Sequence, residues 1–314
     1  MMRLLIVDEM HPSLFAMLQA RAIHYEYQPH IQRAEILSII KDFQGLIIRS
    51  KTHIDSSFLQ HASQLKWIGR AGSGMDLFDL QAISQKNIHV DNAPEGNRDS
   101  VAEHTIGMLL ALYNKMIQAD AQVRKKIWNR EANRGWEIKG KTIAIIGYGN
   151  VGKEVARRLQ NFDCQILVYD KNHSGFTEPY IREVTMSQIF AQADIVSLHV
   201  PLTAETNQMV NAAYLAQFYK PITLINTSRG EVVVLADLCH ALQTGKVVGA
   251  CLDVLENEKL AQLTPAQAQI FDFLAQSPQV VLTPHVAGWT HESYQRINEV
   301  LVQKLDNWLK QHHL

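Results

Sequence analysis

The sequence contains little of what marks secreted, metal-binding or nucleic-acid-binding proteins. Its 314 residues include only three cysteines, Cys164, Cys239 and Cys251, and their spacing fits no metal site. Cysteines used so sparsely are typical of reduced thiols in a cytoplasmic protein, so we expect neither disulfides nor a bound metal. The formal net charge is −1 at pH 7, which gives no electrostatic reason to expect a nucleic-acid partner.

Long apolar runs are also missing. No apolar segment reaches the roughly 20 residues that a membrane-spanning helix needs, so we expect no membrane partner. At the N-terminus, the apolar run in MMRLLIVDEM is followed at once by Asp8 and Glu9, where a signal peptide would continue with apolar and small residues. We therefore predict a cytoplasmic protein whose first segment is a β-strand.

What the sequence does contain is an alternation of short apolar strands with helical patterns. In the first third, strands are predicted at 4–7, 45–48, 65–68 and 88–90, with helices such as 12–20 and 34–41 between them. From Lys141 onward, strands are predicted at 142–146, 165–169, 195–199, 222–226, 247–252 and 280–282. This alternation predicts an α/β protein with two doubly wound parallel sheets.

Three stretches suggest how the chain divides. The polar stretch DNAPEGNRD at 91–99 predicts a domain crossing, followed by a helix that Ser100 would cap together with Glu103. The basic, tryptophan-containing segment 124–136 favours a surface helix and loop over a nucleic-acid site, because the net charge is near zero. A final helix from Thr290 has one apolar stripe and is expected to pack on the first unit. We therefore predict one domain at 1–97 plus 290–314 and a second at 98–289.

A glycine-rich turn stands at the start of the second unit. Gly147, Gly149 and Gly152 have G-x-G-x-x-G spacing between a predicted strand and a helix, and Asp170 ends the next strand. This arrangement is typical of a dinucleotide site, with the pyrophosphate at the helix N-terminus and the acid at the adenosine ribose. The acid favours NAD, although Lys171 beside it softens the repulsion of NADP and leaves that cofactor open.

Three residues far apart in sequence follow strands of the second unit and have the types that hydride transfer to a keto acid requires. His285 suits proton exchange at neutral pH, Glu258 can fix its tautomer, and the Arg229 guanidinium suits a substrate carboxylate. Residue type alone does not select them, because the chain has 14 histidines.

Seven motifs, in chain order, resemble those of the D-isomer-specific 2-hydroxyacid dehydrogenases. They are RAGSGMD at 70–76, NAPEGNRDSVAEHT at 92–105, GKTIAIIGYGNVG at 140–152, LHVPLTAET at 198–206, INTSRGEVV at 225–233, GACLDVLENE at 249–258 and TPHVAGWT at 283–290. The resemblance covers essentially the whole chain. It implies a Rossmann NAD-binding domain inserted in a flavodoxin-like substrate domain, a cleft that closes on binding, and a homodimer built through the NAD-binding domains.

The resemblance also implies roles for individual residues. Arg229, Glu258 and His285 match the catalytic positions, with His285 exchanging the proton while hydride passes between the nicotinamide and C2 of the substrate. The expected cofactor-binding residues are Gly147, Gly149, Asn150, Val151, Gly152, Asp170, His199, Pro201, Thr227, Ser228, Asp253 and His285, with Asp253 orienting the nicotinamide amide. The expected substrate-binding residues are Arg49, Lys51, Arg70, Ala71, Gly72, Ser73, Gly74, Arg229 and His285.

One departure from the family pattern leaves an alternative open. The family usually has proline after the paired glutamate, whereas Lys259 stands here. Glu256 therefore remains a second candidate partner of His285.

The substrate is predicted from the cations after the early strands. Arg49, Lys51 and Arg70 suit a phosphate, which favours 3-phosphoglycerate and a step of serine biosynthesis; the other interpretation is that they are structural or surface charges. A glycerate/hydroxypyruvate reductase, another D-2-hydroxyacid dehydrogenase and an NAD-binding corepressor-like protein are the alternatives. Because the chain ends at Leu314, we expect no serine-binding regulatory domain.

Overall fold

The first of two parallel sheets has five strands. The computed structural model describes residues 2–312, and within them this sheet contains β1 Arg3–Ile6, β2 His24–Tyr27, β3 Gly45–Ile48, β4 Trp67–Arg70 and β5 His89–Asn92. The strands are all parallel, in the order β2-β1-β3-β4-β5. This is the flavodoxin-like order, so the fold predicted for the first domain is confirmed.

Five helices in the described residues pack with this sheet or beside it. They are α1 Ser13–Gln19, α2 Arg33–Ile39, α3 Ser56–His61, α4 Leu80–Gln85 and α12 His291–Gln311. Helix α12 is capped by Thr290, and its stripe of Ile297, Leu301 and Leu305 is buried in one cluster with Leu4 and other residues of the sheet. The C-terminal helix thus returns to the first unit, as its apolar stripe predicts.

The second sheet has seven parallel strands within the described residues. They are β6 Thr142–Ile146, β7 Gln165–Tyr169, β8 Arg182–Glu183, β9 Ile195–Leu198, β10 Ile222–Asn226, β11 Val247–Leu252 and β12 Val280–Leu282. Their order, β12-β11-β10-β9-β6-β7-β8, contains the Rossmann order with one added edge strand. The switch point lies between β6 and β9, where open parallel sheets bind their ligands.

Seven further helices belong wholly or partly to the second unit. They are α5 Pro94–Tyr113, α6 Met116–Arg124, α7 Asn150–Leu159, α8 Met186–Gln192, α9 Ala212–Ala216, α10 Leu235–Gln243 and α11 Pro265–Gln276. The strands between them are apolar on both faces: every residue of β6, β9 and β10 is buried. Such strands are typical of a parallel sheet covered on both sides by helices.

The chain divides into two compact units, Met1–Asp99 with Trp289–Leu314, and Ser100–Gly288. The ends of the predicted first domain, residues 1, 313 and 314, lie outside the described residues. Between residues 2 and 312, no helix is long and apolar enough to cross a membrane. In the same range, no group of three or more histidine, cysteine or acidic residues is placed to hold a metal.

The start of α5 differs from the prediction. The helix begins at Pro94 rather than after Ser100, so Ser100 lies inside it and does not cap it. Proline fits the first turn of a helix because it has no N–H to leave unpaired, and Glu95 suits the positive end of the helix dipole. Gly96 allows close packing, since a Cβ there would lie 2.6 Å from the Ile297 Cα.

Candidate active site

The glycine-rich turn after β6 has the geometry that a dinucleotide requires. Gly147 has φ +91°, and a Cβ there would lie 2.5 Å from the carbonyl oxygen of His199. A Cβ on Gly152 would lie 2.1 Å from the Gly147 oxygen, so the third glycine lets helix and loop pack closely. At Gly149 a Cβ would meet open space, which leaves the backbone accessible to a pyrophosphate.

Helix α7 and the end of β7 complete this turn. The helix begins at Asn150 and Val151, with Gly149 at its N-cap, so its free amides point toward the loop. Asp170 accepts hydrogen bonds from the amides of Tyr148, at 2.8 Å, and Asn172, at 2.9 Å. Burial raises the pKa of Asp170, but these hydrogen bonds outweigh it and hold the pKa below its usual value. A carboxylate at this place suits the ribose of NAD.

Strand β9 is the neighbour of β6 in the sheet, so the loop after β9 follows at the same edge as the glycine-rich turn. His199 Nε2 lies 2.8 Å from the Ser197 hydroxyl, and burial lowers the pKa of His199 to about 4, so its ring is neutral at pH 7. Pro201 follows in the same loop, where its carbonyl accepts a hydrogen bond from the Thr206 hydroxyl at 2.6 Å. His199 and Pro201 can offer a dinucleotide neutral polar groups, while Glu205 of the same loop pairs with Lys171.

The Arg229 loop after β10 is held by a buried asparagine. Asn226 has no exposed surface; its Nδ2 donates to the Arg229 carbonyl at 2.8 Å, and its Oδ1 accepts from the Ser228 amide and hydroxyl. A Cβ on Gly230 would lie 1.9 Å from the Leu255 oxygen, so this loop packs directly on the one that leads to Glu258. The backbone that carries the Arg229 guanidinium is therefore fixed on two sides.

His285 and Glu258 lie together at the ends of their strands. His285 Nδ1 lies 2.9 Å from Glu258 Oε1 and 3.0 Å from Oε2, and both side chains are nearly half exposed. Glu256 is placed differently, because its carboxylate accepts from the Leu235 amide at the start of α10, and burial raises its pKa. Of the two glutamates, the structure brings Glu258 to the imidazole.

The backbone of His285 has the left-handed conformation, with φ +54°. The His285 amide donates to the Asp253 carbonyl at 2.7 Å, and the amides of Val286 and Ala287 donate to the Asp253 carboxylate at 2.9 and 2.8 Å. Asp253 is 2% exposed, and Thr283 donates to it as well. Its carboxylate therefore holds the loop around His285; the contact of Asp253 with the nicotinamide amide stays a prediction.

Four polar residues around these loops were not predicted as site residues. Ser100, His104 and Thr105 on α5 contact Ala287, Thr283 and Thr227, and Thr283 contacts Asp253. Three of them stand in the motif at 92–105 and the fourth opens the motif at 283–290. The sequence did contain one indication of this arrangement. Ser100 and His104 are four residues apart on a predicted helix, so their side chains were expected on the same face.

In the first unit, the three predicted cations have different surroundings. The Arg49 guanidinium lies over the Trp289 ring, 4.0 Å from its centroid, and 5.5 Å from that of Tyr294. Lys51 donates to the backbone carbonyls of Val7, Pro29 and Ile31. An ammonium group has three donors, so these carbonyls use all of them and Lys51 has none left for an anion.

Arg70 lies over the 71–74 loop. Its Nη1 donates to the Ala71 carbonyl at 2.8 Å, and a Cβ on Gly72 would collide with the guanidinium. The amides of Ala71 and Gly72 donate to the carbonyls of Ile48 and Arg70. Among the described residues, the amides of Ser73 and Gly74 have no such acceptor, so these two can bind a carboxylate.

Comparison with known proteins agrees with this geometry. The family model for the NAD-binding domain of D-isomer specific 2-hydroxyacid dehydrogenases matches residues 106–287. D-3-phosphoglycerate dehydrogenase of Archaeoglobus fulgidus is 32% identical over 98% of the chain, which spans 58% of that enzyme's length. Hydroxypyruvate reductase of Thermotoga maritima is 34% identical over 88% of each chain.

A solved structure shows the same fold over nearly the full chain. D-lactate dehydrogenase from Aquifex aeolicus, complexed with NAD and lactic acid, superposes with a TM-score of 0.85 at 26% identity and covers 98% of this chain and 96% of its own. The prediction of an NAD-binding domain is confirmed by the matched model. The protein therefore belongs to the D-isomer-specific 2-hydroxyacid dehydrogenase family.

Proposed function

We propose that the protein is an NAD-dependent oxidoreductase that interconverts a D-2-hydroxy acid and its 2-keto acid. The observation that carries this proposal is the pairing of His285 with Glu258, at 2.9 and 3.0 Å, on the same unit as the glycine-rich turn. A histidine paired with a carboxylate can take a proton from a hydroxyl group and return it near neutral pH.

The pairing decides which nitrogen reacts. An ionised carboxylate can only accept hydrogen bonds, so the Nδ1 of His285 carries a hydrogen and donates it to Glu258. Nε2 is then the nitrogen that exchanges a proton with the substrate oxygen. The Glu258 charge stabilises the imidazolium form, as the acid of a catalytic triad does. Arg229 would hold the substrate carboxylate through its planar fork of donors.

The residues around the glycine turn fit the cofactor. Gly147, Gly149 and Gly152 with the start of α7 would hold the pyrophosphate, and Asp170 the adenosine ribose. When bound, the nicotinamide supplies or accepts the hydride at C2 of the substrate. Asp170 favours NAD over NADP because a carboxylate repels the additional phosphate.

For the substrate, we propose a phosphorylated 2-hydroxy acid, 3-phosphoglycerate, with Arg49 and Arg70 of the first unit binding the phosphate. The residue type supports this assignment, because the guanidinium group of arginine can bind a phosphate through two parallel hydrogen bonds. The Lys51 contacts favour a structural role for that residue, so we leave it out of the proposed phosphate site. The similarity to a hydroxypyruvate reductase supports an unphosphorylated substrate instead, and this is the alternative.

In the first unit, the amides of Ser73 and Gly74 would bind a carboxylate of the substrate. The unit with the first sheet would then be the substrate-binding domain and the unit with the second sheet the NAD-binding domain. The three free thiols fit a reducing compartment such as the cytoplasm. A homodimer through the NAD-binding domains is part of the same proposal.

The test is steady-state NADH oxidation by the purified protein with 3-phosphohydroxypyruvate, hydroxypyruvate, glyoxylate and pyruvate. We expect the phosphorylated acid to have the highest kcat/KM, and Arg49→Ala and Arg70→Ala to lower that value selectively. His285→Asn should lower kcat about 10²- to 10⁴-fold with every substrate while NADH binding is kept. Lys51→Met, the matched control, should lose stability rather than phosphate selectivity.

Each contrary outcome has a distinct meaning. Equal or better use of hydroxypyruvate would refute the phosphoglycerate assignment and leave the family chemistry standing. If NADH bound but no acid were reduced, the proposed activity would be refuted, and the corepressor-like alternative would replace it.

A further inference from the structure

One face of α5 lies against the loop that carries His285. Ser100, His104 and Met108 are spaced four residues apart, so their side chains point to the same side of the helix. The buried Ser100 hydroxyl donates to the Ala287 carbonyl at 2.6 Å. One turn further on, His104 Nε2 lies 3.0 Å from the Thr283 hydroxyl oxygen. The helix thus contacts both ends of the 283–287 loop.

The hydrogen bonds of Thr283 fix the direction of a short chain. The Thr283 hydroxyl lies 2.5 Å from Asp253 Oδ1, and an ionised carboxylate can only accept. The hydroxyl has a single hydrogen, so it donates this hydrogen to Asp253 and must accept one from His104. His104 therefore carries its hydrogen on Nε2, which lies 3.7 Å from the same Asp253 oxygen.

Asp253 extends this chain to the backbone around His285. Its Oδ1, the oxygen that accepts from Thr283, also accepts from the Val286 amide at 2.9 Å, and its Oδ2 accepts from the Ala287 amide at 2.8 Å. The His285 backbone has φ +54°, which a residue with a side chain adopts only when its surroundings enforce it. The direction of the imidazole depends on this conformation.

We propose that His104 is a positioning residue for His285, acting through Thr283 and Asp253. This inference rests on the proposed function, since it assigns His285 the proton exchange. His104 contacts neither His285 nor Glu258, and its Nε2–H fixes the Thr283 hydroxyl so that the hydroxyl, in turn, orients the Asp253 carboxylate. That carboxylate then holds the amides of Val286 and Ala287, next to His285, and so keeps the imidazole in the geometry that Glu258 completes.

A second contact of α5 agrees with this role. The Thr105 hydroxyl donates to the Val101 carbonyl at 2.7 Å, and its oxygen lies 3.1 Å from that of Thr227 in the Arg229 loop. The same turn of α5 therefore contacts the loops of both His285 and Arg229. A change in this turn is transmitted to two of the three proposed catalytic residues.

The test compares His104→Leu, which removes the donor, with His104→Gln, whose amide N–H can reach the Thr283 hydroxyl. Thr283→Val removes the next link. His240→Leu on α10, away from these loops, is the matched control. For each variant we would measure kcat and KM for the best 2-keto acid, the Kd for NADH, and hydrogen–deuterium exchange of the 283–288 peptide without ligand.

We expect His104→Leu and Thr283→Val to lower kcat about 10- to 100-fold, with Kd for NADH and Tm nearly unchanged, because a small misplacement of a reacting group has effects of this size. Exchange of the Val286 and Ala287 amides should become faster in both. His104→Gln should restore most of kcat and the slow exchange, and the His104→Leu/Thr283→Val double variant should be no worse than either single one.

Wild-type kcat and unchanged exchange in His104→Leu would overturn the proposal. So would a loss of kcat that His104→Gln fails to restore, since that result indicates packing rather than a hydrogen bond. If the wild-type protein reduced no 2-keto acid, the proposed function itself would fail. The exchange of the 283–288 peptide would still decide whether His104 holds the loop.

Discussion

At the scale of single residues, His285 combines an accessible imidazole with a constrained backbone. Its ring is nearly half exposed, as a group that meets a substrate must be, while three amides of the 285–287 segment donate to Asp253. Proton exchange needs both properties, because a freely rotating imidazole would spend little time in the reactive geometry. The two nearby glutamates provide the sharpest test of this assignment.

Glu258→Gln is expected to lower kcat about 10²- to 10⁴-fold, because a neutral amide cannot stabilise the imidazolium form of His285. Glu256→Gln keeps an acceptor for the Leu235 amide and should retain nearly full turnover, with a loss of at most about 1 kcal/mol in the free energy of unfolding. Steady-state kinetics and thermal unfolding of both variants measure these effects. Full activity of Glu258→Gln would remove it as the partner of His285.

Trp289 offers a second prediction at this scale. Its ring lies under the Arg49 guanidinium, 4.0 Å from ring centroid to Cζ, and this cation–π contact would hold the guanidinium in place for an anion. Trp289→Leu should cost about 0.5–2 kcal/mol of this interaction, which is about a 2- to 30-fold rise in KM for 3-phosphohydroxypyruvate. KM for hydroxypyruvate should change little, and Trp289→Phe should keep most of the effect. A uniform rise for both acids would contradict the phosphate role of Arg49.

At the scale of elements, two glycines of the glycine-rich turn serve different purposes: Gly152 is needed for folding and Gly149 for cofactor binding. Gly152→Ala should impair folding, because its Cβ would lie 2.1 Å from the Gly147 oxygen, a distance that backbone atoms must move to relieve. Gly149 has neither a close neighbour nor a positive φ, so Gly149→Ala should lose at most about 1 kcal/mol of stability at this N-cap.

NADH titration should nevertheless show much weaker binding to Gly149→Ala, since the added methyl group occupies the space that a pyrophosphate needs. Circular dichroism would confirm that the variant is folded. Unchanged affinity for NADH in Gly149→Ala would show that the cofactor does not approach this glycine.

The elements that the sequence predicts best are the buried ones. The strands Gly45–Ile48, Thr142–Ile146 and Ile222–Asn226 have the predicted bounds, because a continuous apolar run has few alternatives to a covered strand. The edge strand His24–Tyr27 was missed, since its sequence HYEY is half polar and has no apolar run. The two-residue strand Arg182–Glu183 is polar and exposed, and no pattern in the sequence predicts it.

The site was predictable to a different extent. Motifs identify Arg229, Glu258 and His285 because their residue types and order are specific. In the chain from His104 through Thr283 to Asp253, the two contacts join residues 179 and 30 positions apart, and nothing local in the sequence predicts that these side chains meet. The surroundings of Lys51 were equally unpredictable. Its ammonium group donates to the carbonyls of Val7, Pro29 and Ile31, and these come together only when the chain folds.

At the scale of the whole molecule, one segment carries several exposed apolar side chains. The 116–136 patch, defined by Met116, Ile117, Val123, Ile127, Trp128 and Trp136, has side chains of the second unit that are 48–80% exposed. Several exposed large apolar side chains in one segment favour a protein–protein contact. The exposed apolar side chains of the patch therefore support the proposed homodimer.

Sedimentation equilibrium at micromolar concentration should therefore give about twice the chain mass of 35.6 kDa. Trp128→Glu places a charge on the residue of the patch that is 80% exposed, and it should shift the protein toward the monomer because a buried, unpaired charge is costly. Tyr219→Glu is the matched control, since Tyr219 is 83% exposed outside the patch and its replacement should leave the dimer intact. A wild-type monomer, or a dimer that Trp128→Glu leaves unchanged, would show that the 116–136 patch is not the contact between two copies.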